Sequence, residues 1–126
     1  MSKVFVYGTL KKDHGNHYCL GDSPFVGRGK TVPLFRMFTN GFFPMIVRHI
    51  DGDGEGVQIT GEVYEATPET MATLDRLEGV SHGHYRRDAC AVRLEDGRQV
   101  TAYVYVYCRR DNLRNPVPSG EWTDEQ

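Results

Sequence analysis

Residues 25–47 of this 126-residue chain read FVGRGKTVPLFRMFTNGFFPMIV. Apolar and polar residues alternate along this stretch, as expected for strands that bury one face. Glycine and proline interrupt the alternation at five positions, Gly27, Gly29, Pro33, Gly41 and Pro44. Because both residue types weaken or bend a strand, the stretch predicts several short, bent strands, as a curled or barrel-like sheet requires.

Strand-like segments also flank this stretch. Residues 3–7 form a short apolar run that stops at Gly8, which predicts a buried strand ending in a sharp turn. On the other side, an acidic turn at residues 51–56 leads into a predicted strand at residues 57–64. This turn lacks the ligand order and the flanking helices of an EF-hand, so calcium binding is disfavoured.

A hairpin is predicted further along the chain. Residues 85–94 and 99–108 are strand-like and flank Asp96-Gly97, a dipeptide typical of two-residue hairpin turns. Counting back from a two-residue turn places Asp88 opposite Tyr105. Neither face of the hairpin is then uniformly polar, so we expect both faces to be partly covered.

One helix has clear signals at both ends. Thr67-Pro68-Glu69 combines a hydroxyl N-cap, a proline that needs no N–H partner at N1, and a carboxylate near the positive helix end. Gly79 stands where a left-handed residue commonly ends a helix. The predicted buried stripe recurs every three residues, at Met71, Leu74 and Leu77. A weaker pattern predicts a brief helix at residues 17–20.

Composition limits the possible function classes. With 15 Lys and Arg against 17 Asp and Glu, the net charge is −2, so no basic excess favours nucleic acid or an anionic membrane. The longest nearly apolar stretch, residues 41–47, is too short to span a bilayer, and no signal-peptide pattern follows Met1. We expect a cytoplasmic protein with one domain at residues 1–108 and a polar tail at residues 109–126, held down by Trp122.

Cysteine and histidine offer alternative chemistries. The chain has three cysteines without a C-x-x-C pair, which suits reduced thiols, namely Cys19, Cys90 and Cys108. Cys19 follows His17 by two residues, so a thiol nucleophile with a histidine base is one alternative, although cysteine is often buried as a small hydrophobic residue. His82 and His84 lack a third ligand at a recognisable spacing, so a metal site is disfavoured.

Glu78 is an unusual residue for its position. It lies in the last helical turn, where the helix dipole disfavours a carboxylate by roughly 0.3–1 kcal/mol, and Asp75 adds a like charge three residues earlier. Both effects raise the pKa of a carboxyl group, as proton exchange near neutral pH requires. Glu78 is therefore a candidate general acid/base. The alternative is a solvated glutamate paired with Arg86 or Arg87.

The segment Tyr7-Gly8-Thr9-Leu10 follows the first predicted strand. A loop opened by glycine can direct several backbone N–H groups at an anion or an oxyanion. The segment matches neither the Walker A pattern nor G-x-G-x-x-G, and taken alone it is also the pattern of an ordinary strand-to-loop turn. The tyrosines at 103, 105 and 107 share one strand face, which core or barrel packing explains.

Together these motifs resemble the gamma-glutamylcyclotransferase-like family, and most closely its gamma-glutamylamine cyclotransferase branch. The resemblance covers residues 3–108 in the same order. It rests on four segments, namely Tyr7-Gly8-Thr9-Leu10-Lys11-Lys12 with Asn16-His17 beyond it, Gly61-Glu62-Val63-Tyr64, Leu74-Asp75-Arg76-Leu77-Glu78-Gly79, and Tyr85-Arg86-Arg87. It implies a small mixed α+β fold built around a β-barrel.

The resemblance also implies a set of site residues. Glu78 is expected to be the catalytic acid/base, and the γ-glutamyl group is expected to bind to Tyr7, Gly8, Thr9 and Leu10. The segment at residues 41–45 is similar to a family segment beside the same pocket, which adds Pro44 and Met45, and Tyr85 matches a tyrosine near the pocket. No metal or organic cofactor is implied.

The implied activity is the release of an amine and 5-oxoproline from a small-molecule γ-glutamyl substrate. The substrate's own α-amine attacks its γ-carbonyl, so no protein nucleophile is required. Neither nucleic acid nor a membrane is an expected partner. A non-catalytic family member that binds a metabolite or a protein partner is the alternative.

Overall fold

The structure is a computed structural model that describes residues 1–8, 17–49, 56–109 and 113–122. The bent strands predicted at residues 25–47 are present in it. They are three short strands, the first of which contains an irregular register between Phe25 and Gly27. In chain order the strands are β1 Ser2–Val6, β2 Phe25–Thr31, β3 Phe35–Thr39, β4 Pro44–Arg48, β5 Thr60–Ala66, β6 Tyr85–Leu94 and β7 Gln99–Tyr107. The predicted acidic turn lies outside the described residues except for Gly56.

Five of these strands form a closed barrel in the order β1-β5-β2-β6-β7. Neighbouring strands of the barrel pair antiparallel, except for β1 and β7, which close the barrel. These two strands run parallel, and Val4 lies opposite Tyr103. Strands β3 and β4 form a separate two-stranded sheet. The described residues also form one α-helix and two short 3-10 helices, at His17–Leu20 and Val80–His82. This architecture confirms the predicted α+β class.

Two groups of buried side chains occupy opposite faces of the barrel wall. The first group fills the barrel interior and includes Phe5, Val63 and Val104. The second group lies outside the wall, under the helix, and includes Val4, Tyr64 and Leu74. Because alternate residues of a strand point to opposite faces, β1, β5 and β7 each contribute to both groups.

The predicted helix, α1, spans Pro68–Leu77 and has the expected caps. The Thr67 hydroxyl accepts a hydrogen bond from the Thr70 N–H at 3.2 Å, and Gly79 adopts φ 64° beyond the last turn. Met71 and Leu74 are buried. The prediction that Leu77 completes the buried stripe is wrong, because this residue is 42% exposed. It belongs to the last turn, where the helix end reaches the edge of a cavity described below.

The predicted hairpin is present, but the predicted register is wrong by one residue. Asp88 lies opposite Val104, not Tyr105. The loop has three residues, because the Leu94 N–H donates to the Arg98 carbonyl at 2.8 Å and Gly97 adopts φ 93°. A turn closed by a glycine in the left-handed region is the common form of a three-residue hairpin loop.

The segment after β7 packs on the barrel at residues 113–122. The Val117 N–H donates to the Met37 carbonyl at 2.8 Å, and the Thr60 N–H donates to the Gly120 carbonyl at 2.8 Å. Trp122 is 3% exposed and belongs to the same buried group as Phe5 and Val63, so it holds this segment down as expected. Within the described part of the chain, no helix is long and apolar enough to cross a membrane.

Candidate active site

Five of the residues expected to form a site line one cavity of about 340 Å³. The cavity lies where the end of β1, the start of β4, the end of α1 and the start of β6 meet. These five residues are Tyr7, Gly8, Pro44, Glu78 and Tyr85. The fold therefore brings together residues that are spread over most of the sequence.

The other three expected site residues have different positions. Met45 is buried in the apolar group outside the barrel wall and does not line the cavity, because its side chain follows that of Pro44 on a strand and points to the opposite face. Thr9 and Leu10 lie outside the described residues.

Glu78 caps the C-terminal end of α1 and is half-buried. Its N–H donates to the Leu74 carbonyl at 2.9 Å, which fixes its backbone. The alternative in which an arginine neutralises it is wrong, because Arg86 pairs with Asp88 and Arg87 pairs with Asp75. Among the described residues, no side chain forms an ion pair or hydrogen bond with the Glu78 carboxylate.

Desolvation by burial raises the pKa of Glu78 from 4.5 to about 7. The sequence predicted the direction of this change but assigned it to the helix dipole and to Asp75. In the structure, Asp75 accepts a hydrogen bond from the Tyr105 hydroxyl at 2.7 Å and pairs with Arg87 at 3.2 Å, so its charge is compensated. Withdrawal of Glu78 from water is therefore the dominant cause. A carboxyl group with this pKa can both accept and donate a proton near neutral pH.

Three phenol groups surround the cavity beside Glu78, those of Tyr7, Tyr85 and Tyr105. Burial raises the pKa of each phenol above its usual value, and the negative charge of Glu78 raises each further. The Tyr7 hydroxyl donates to the Tyr105 carbonyl at 2.7 Å. All three phenols are therefore neutral at physiological pH. The other ionisable side chains among the described residues that line the cavity are the Glu78 carboxyl group and the His84 imidazole.

A model of the family described as gamma-glutamyl cyclotransferase, AIG2-like, matches residues 4–124. The chain belongs to this family. The match spans almost the whole sequence and includes every element that lines the cavity. The expected family and the expected type of enzyme, a gamma-glutamylcyclotransferase, are thereby confirmed.

Relatives of this cyclotransferase include proteins from distant organisms. The gamma-glutamylaminecyclotransferase of Rattus norvegicus is 34% identical over 119 residues, which are 83% of this chain and 77% of the rat protein. The gamma-L-glutamyl-butirosin B gamma-glutamyl cyclotransferase of Niallia circulans is 29% identical over 118 residues, or 90% and 71% of the two chains. The crystal structure of an AIG2-like protein from Mus musculus superposes with a TM-score of 0.83 at 28% identity, covering 100% of this chain and 90% of the mouse chain.

Several residues that line the cavity of this cyclotransferase were missed by the sequence analysis. Phe43, Leu77 and His84 lie at its exposed side, and Tyr105 forms part of its buried wall. Phe43 and Leu77 directly precede the expected site residues Pro44 and Glu78, which is the signal that could have identified them. Tyr105 carried no such signal, because only the barrel topology brings β7 to the end of α1.

The alternative chemistries receive no support from the positions of their residues. Cys19 packs partly buried against the apolar group outside the barrel wall and does not line the cavity. The His82 and His84 rings are 6.1 Å apart. Within the described ranges, no three histidine, cysteine, aspartate or glutamate residues are grouped closely enough to hold a metal ion.

Proposed function

We propose that this enzyme releases 5-oxoproline and a free amine from γ-glutamyl amines, with Glu78 as the general acid/base. The observation that carries the proposal is a half-buried carboxyl group whose pKa is raised to about 7 in the wall of a cavity. An amine protonated at neutral pH must lose a proton before it can attack a carbonyl. A carboxylate of this kind is suited to remove it.

The proposed reaction forms one bond and breaks one. The substrate's α-nitrogen bonds to its γ-carbonyl carbon, which closes a five-membered ring, and the bond from that carbon to the leaving nitrogen breaks. Two protons leave the α-ammonium group, and the leaving nitrogen gains two protons to become an ammonium ion. Glu78 accepts a proton and passes it on, so it returns to its starting state. No water is consumed.

Such a reaction requires little from the protein beyond orientation and proton transfer. Because both reacting groups belong to one substrate molecule, holding them in a near-attack geometry contributes up to about 7–11 kcal/mol. No thiol or hydroxyl nucleophile is required, which agrees with the position of Cys19 away from the cavity.

The remaining site residues have proposed binding roles. Tyr7 and Gly8, with Thr9 and Leu10 after them, would hold the γ-glutamyl group, and backbone N–H groups of this segment would stabilise its carboxylate or the developing oxyanion. Pro44 and Tyr85 line the cavity and shape it, and Met45 supports that wall from the buried side.

Amines are the proposed leaving groups because the 34% identical rat relative is named gamma-glutamylaminecyclotransferase. The proposed setting is the cytoplasm, where the three free cysteines remain reduced. Neither a metal nor an organic cofactor takes part in the proposed reaction.

The proposal is tested by incubating the protein with γ-glutamyl amines, γ-glutamyl dipeptides and glutathione in H₂¹⁸O. Mass spectrometry should detect unlabelled 5-oxoproline and an equimolar amount of amine, both of which Glu78→Gln should fail to produce. Labelled glutamate would instead indicate hydrolysis and contradict the cyclisation. Substrate binding without turnover by the wild type would favour the non-catalytic alternative.

A further inference from the structure

The cavity wall contains a second side chain that can exchange protons near neutral pH. Besides Glu78 and the neutral phenols, the ionisable group among the described residues of the lining is the His84 imidazole. Imidazole is the side chain whose charge ordinarily changes closest to physiological pH, so histidine is the most frequent general acid or base in enzymes. The proposed reaction moves protons between two nitrogen atoms, and a histidine in the same cavity is suited to that transfer.

The loop between α1 and β6 turns back on itself and fixes the backbone of His84 near Glu78. The Gly79 carbonyl accepts from the N–H groups of His82 and His84, both at 3.1 Å. The His84 carbonyl accepts from the Cys108 N–H at 3.0 Å, which ties the loop to the segment after β7. Both backbone groups of His84 are therefore held in place.

The imidazole ring packs against the residue that directly follows Glu78. A Cβ at Gly79 would lie 2.7 Å from His84 Nδ1 and 3.2 Å from its Cγ. The missing side chain of Gly79 thus lets the ring approach the end of α1. His84 is also exposed, so its ring contacts both the cavity and the solvent.

A second histidine in the same loop does not line the cavity. The ring of His82 lies 6.1 Å from that of His84, and His82 is exposed as well. The cavity lining includes His84 but not His82. The two histidines therefore share their type, their loop and their exposure, and differ in access to the cavity.

The position of His84 suits the leaving nitrogen of a γ-glutamyl amine. Tyr7 and Tyr105 are buried and close one end of the cavity, whereas His84 lies at the exposed side. If the γ-glutamyl group occupies the closed end, its leaving nitrogen points to the exposed side. An alkylamine is a poor leaving group until its nitrogen is protonated, so an acid is needed there.

We propose that His84 relays a proton from Glu78 to the leaving nitrogen. This inference rests on the proposed function and adds a second catalytic residue to it. Glu78 serves the α-nitrogen and His84 serves the leaving nitrogen, so neither side chain has to move between the two atoms.

The proposed cycle starts with both side chains unprotonated. Glu78 removes one proton from the α-ammonium group, and the resulting amine bonds to the γ-carbon. His84 takes this proton from Glu78, directly or through one water molecule, and donates it to the leaving nitrogen as the bond to the γ-carbon breaks. The α-nitrogen releases its second proton to solvent, and the free amine takes one from solvent. Both side chains thereby return to their starting states.

Two substrates test whether His84 protonates the leaving nitrogen. γ-Glutamyl benzylamide and γ-glutamyl 4-nitroanilide both carry an aromatic ring, but the nitro group withdraws electrons, so 4-nitroaniline departs with little need for an acid. His84→Gln should reduce kcat/KM for the benzylamide by about 10²-fold or more, as the loss of a general acid does. It should leave kcat/KM for the nitroanilide nearly unchanged. A purely structural role would lower both values equally.

Three further variants complete the test. His82→Gln is the matched control and should leave both substrates unaffected. Glu78→Gln should slow both substrates, because each requires a deprotonated α-amine. Added imidazole should raise the benzylamide rate of His84→Ala but not that of Glu78→Gln.

The outcomes separate the failure of the relay from the failure of the proposed function. If the wild type releases 5-oxoproline in a reaction that depends on Glu78, but His84→Gln slows both substrates equally or neither, the relay is wrong and the proposed function stands. If the wild type releases 5-oxoproline from neither substrate, both are wrong. A selective loss with the benzylamide supports both.

Discussion

The Pro44 ring lies directly against Gly8, so that a methyl group at Gly8 would approach the Pro44 Cγ to 2.8 Å and its Cδ to 2.9 Å. Both residues line the cavity. The contact joins the end of β1 to the start of β4, which belong to different sheets. Gly8 is therefore needed at this position for its lack of a side chain.

Gly8→Ala should lower both the stability and the activity of the protein. Overpacking of this kind costs about 1–3 kcal/mol, because either the proline or the backbone must move. Chemical denaturation and kcat/KM for 5-oxoproline release measure the two effects. Pro44→Ala removes the atoms that clash, so the double variant should recover part of the loss relative to Gly8→Ala. A double variant no better than Gly8→Ala would contradict the contact.

Two glycines near Glu78 form a matched pair for a second prediction. Gly79 and Gly83 both adopt left-handed backbone, with φ 64° and 73°. A Cβ at Gly79 would lie 2.7 Å from His84 Nδ1, whereas a Cβ at Gly83 would meet no atom within 4 Å. Only Gly79 therefore combines backbone strain with a close contact.

Gly83→Ala should destabilise the protein by about 1–2 kcal/mol through backbone strain alone. Gly79→Ala should destabilise it by more and should also lower kcat, because accommodating the methyl group displaces the residue next to Glu78. Denaturant unfolding and steady-state kinetics provide the comparison. Equal losses of stability and unchanged kcat in both variants would show that the His84 contact has no effect.

The hydrogen bond from Tyr105 to Asp75 fastens the end of α1 to the barrel. Tyr105→Phe should reduce the free energy of unfolding by about 1–2 kcal/mol, because it leaves one acceptor of a partly buried carboxylate without its donor. Tyr103→Phe is the control. Tyr103 lies on the same strand face, is 38% exposed, and its hydroxyl has no hydrogen bond among the described residues. The same loss in both variants would contradict the proposed fastening.

Sequence reasoning succeeded where the signals were local. The Thr67 N-cap, the proline at N1 and Gly79 act within one turn of the helix, so its boundaries were predictable. The hairpin register was not predictable, because Asp96-Gly97 suits both two-residue and three-residue loops. In the structure the Asp96 carboxylate accepts from the Arg98 N–H at 3.0 Å within the longer loop.

The candidate site also combines features that local sequence predicts with features that only the tertiary fold determines. Glu78 could be identified from its unfavourable position on the helix and from its family motif. The cause of its raised pKa could not, because burial depends on β1, β4 and β6 closing around the helix end. Leu77 was expected to be buried because helical periodicity alone does not show where the barrel surface ends.

Burial of Glu78 also predicts how stability depends on pH. The pKa of the Glu78 carboxyl group is about 7 in the folded protein, against an ordinary value of 4.5. The folded state therefore binds a proton at this group more tightly than the unfolded state does. The resulting stabilisation is fully present below about pH 4.5 and is lost as the pH rises through 7. At about 1.4 kcal/mol per pKa unit, the loss is at most about 3.5 kcal/mol.

Glu78→Gln removes this dependence. The wild type loses stability between about pH 4.5 and 7, whereas the variant does not. The free energy of unfolding of the variant should therefore rise relative to that of the wild type over this range. Denaturation at several pH values measures it. Glu69→Gln, at the exposed start of the same helix, should show no such growth. A constant difference for Glu78→Gln would mean that its pKa is not raised by folding.

The pH dependence of kcat/KM for 5-oxoproline release tests the role of Glu78 most directly. Because the free enzyme must present a carboxylate to the substrate's ammonium group, activity should rise with pH through an acid limb centred near 7. Glu78→Gln should reduce kcat/KM by about 10²–10⁴-fold at the plateau, while Glu69→Gln retains the wild-type profile. An acid limb near 4.5, or near-normal turnover by Glu78→Gln, would contradict the assignment of Glu78 as the base.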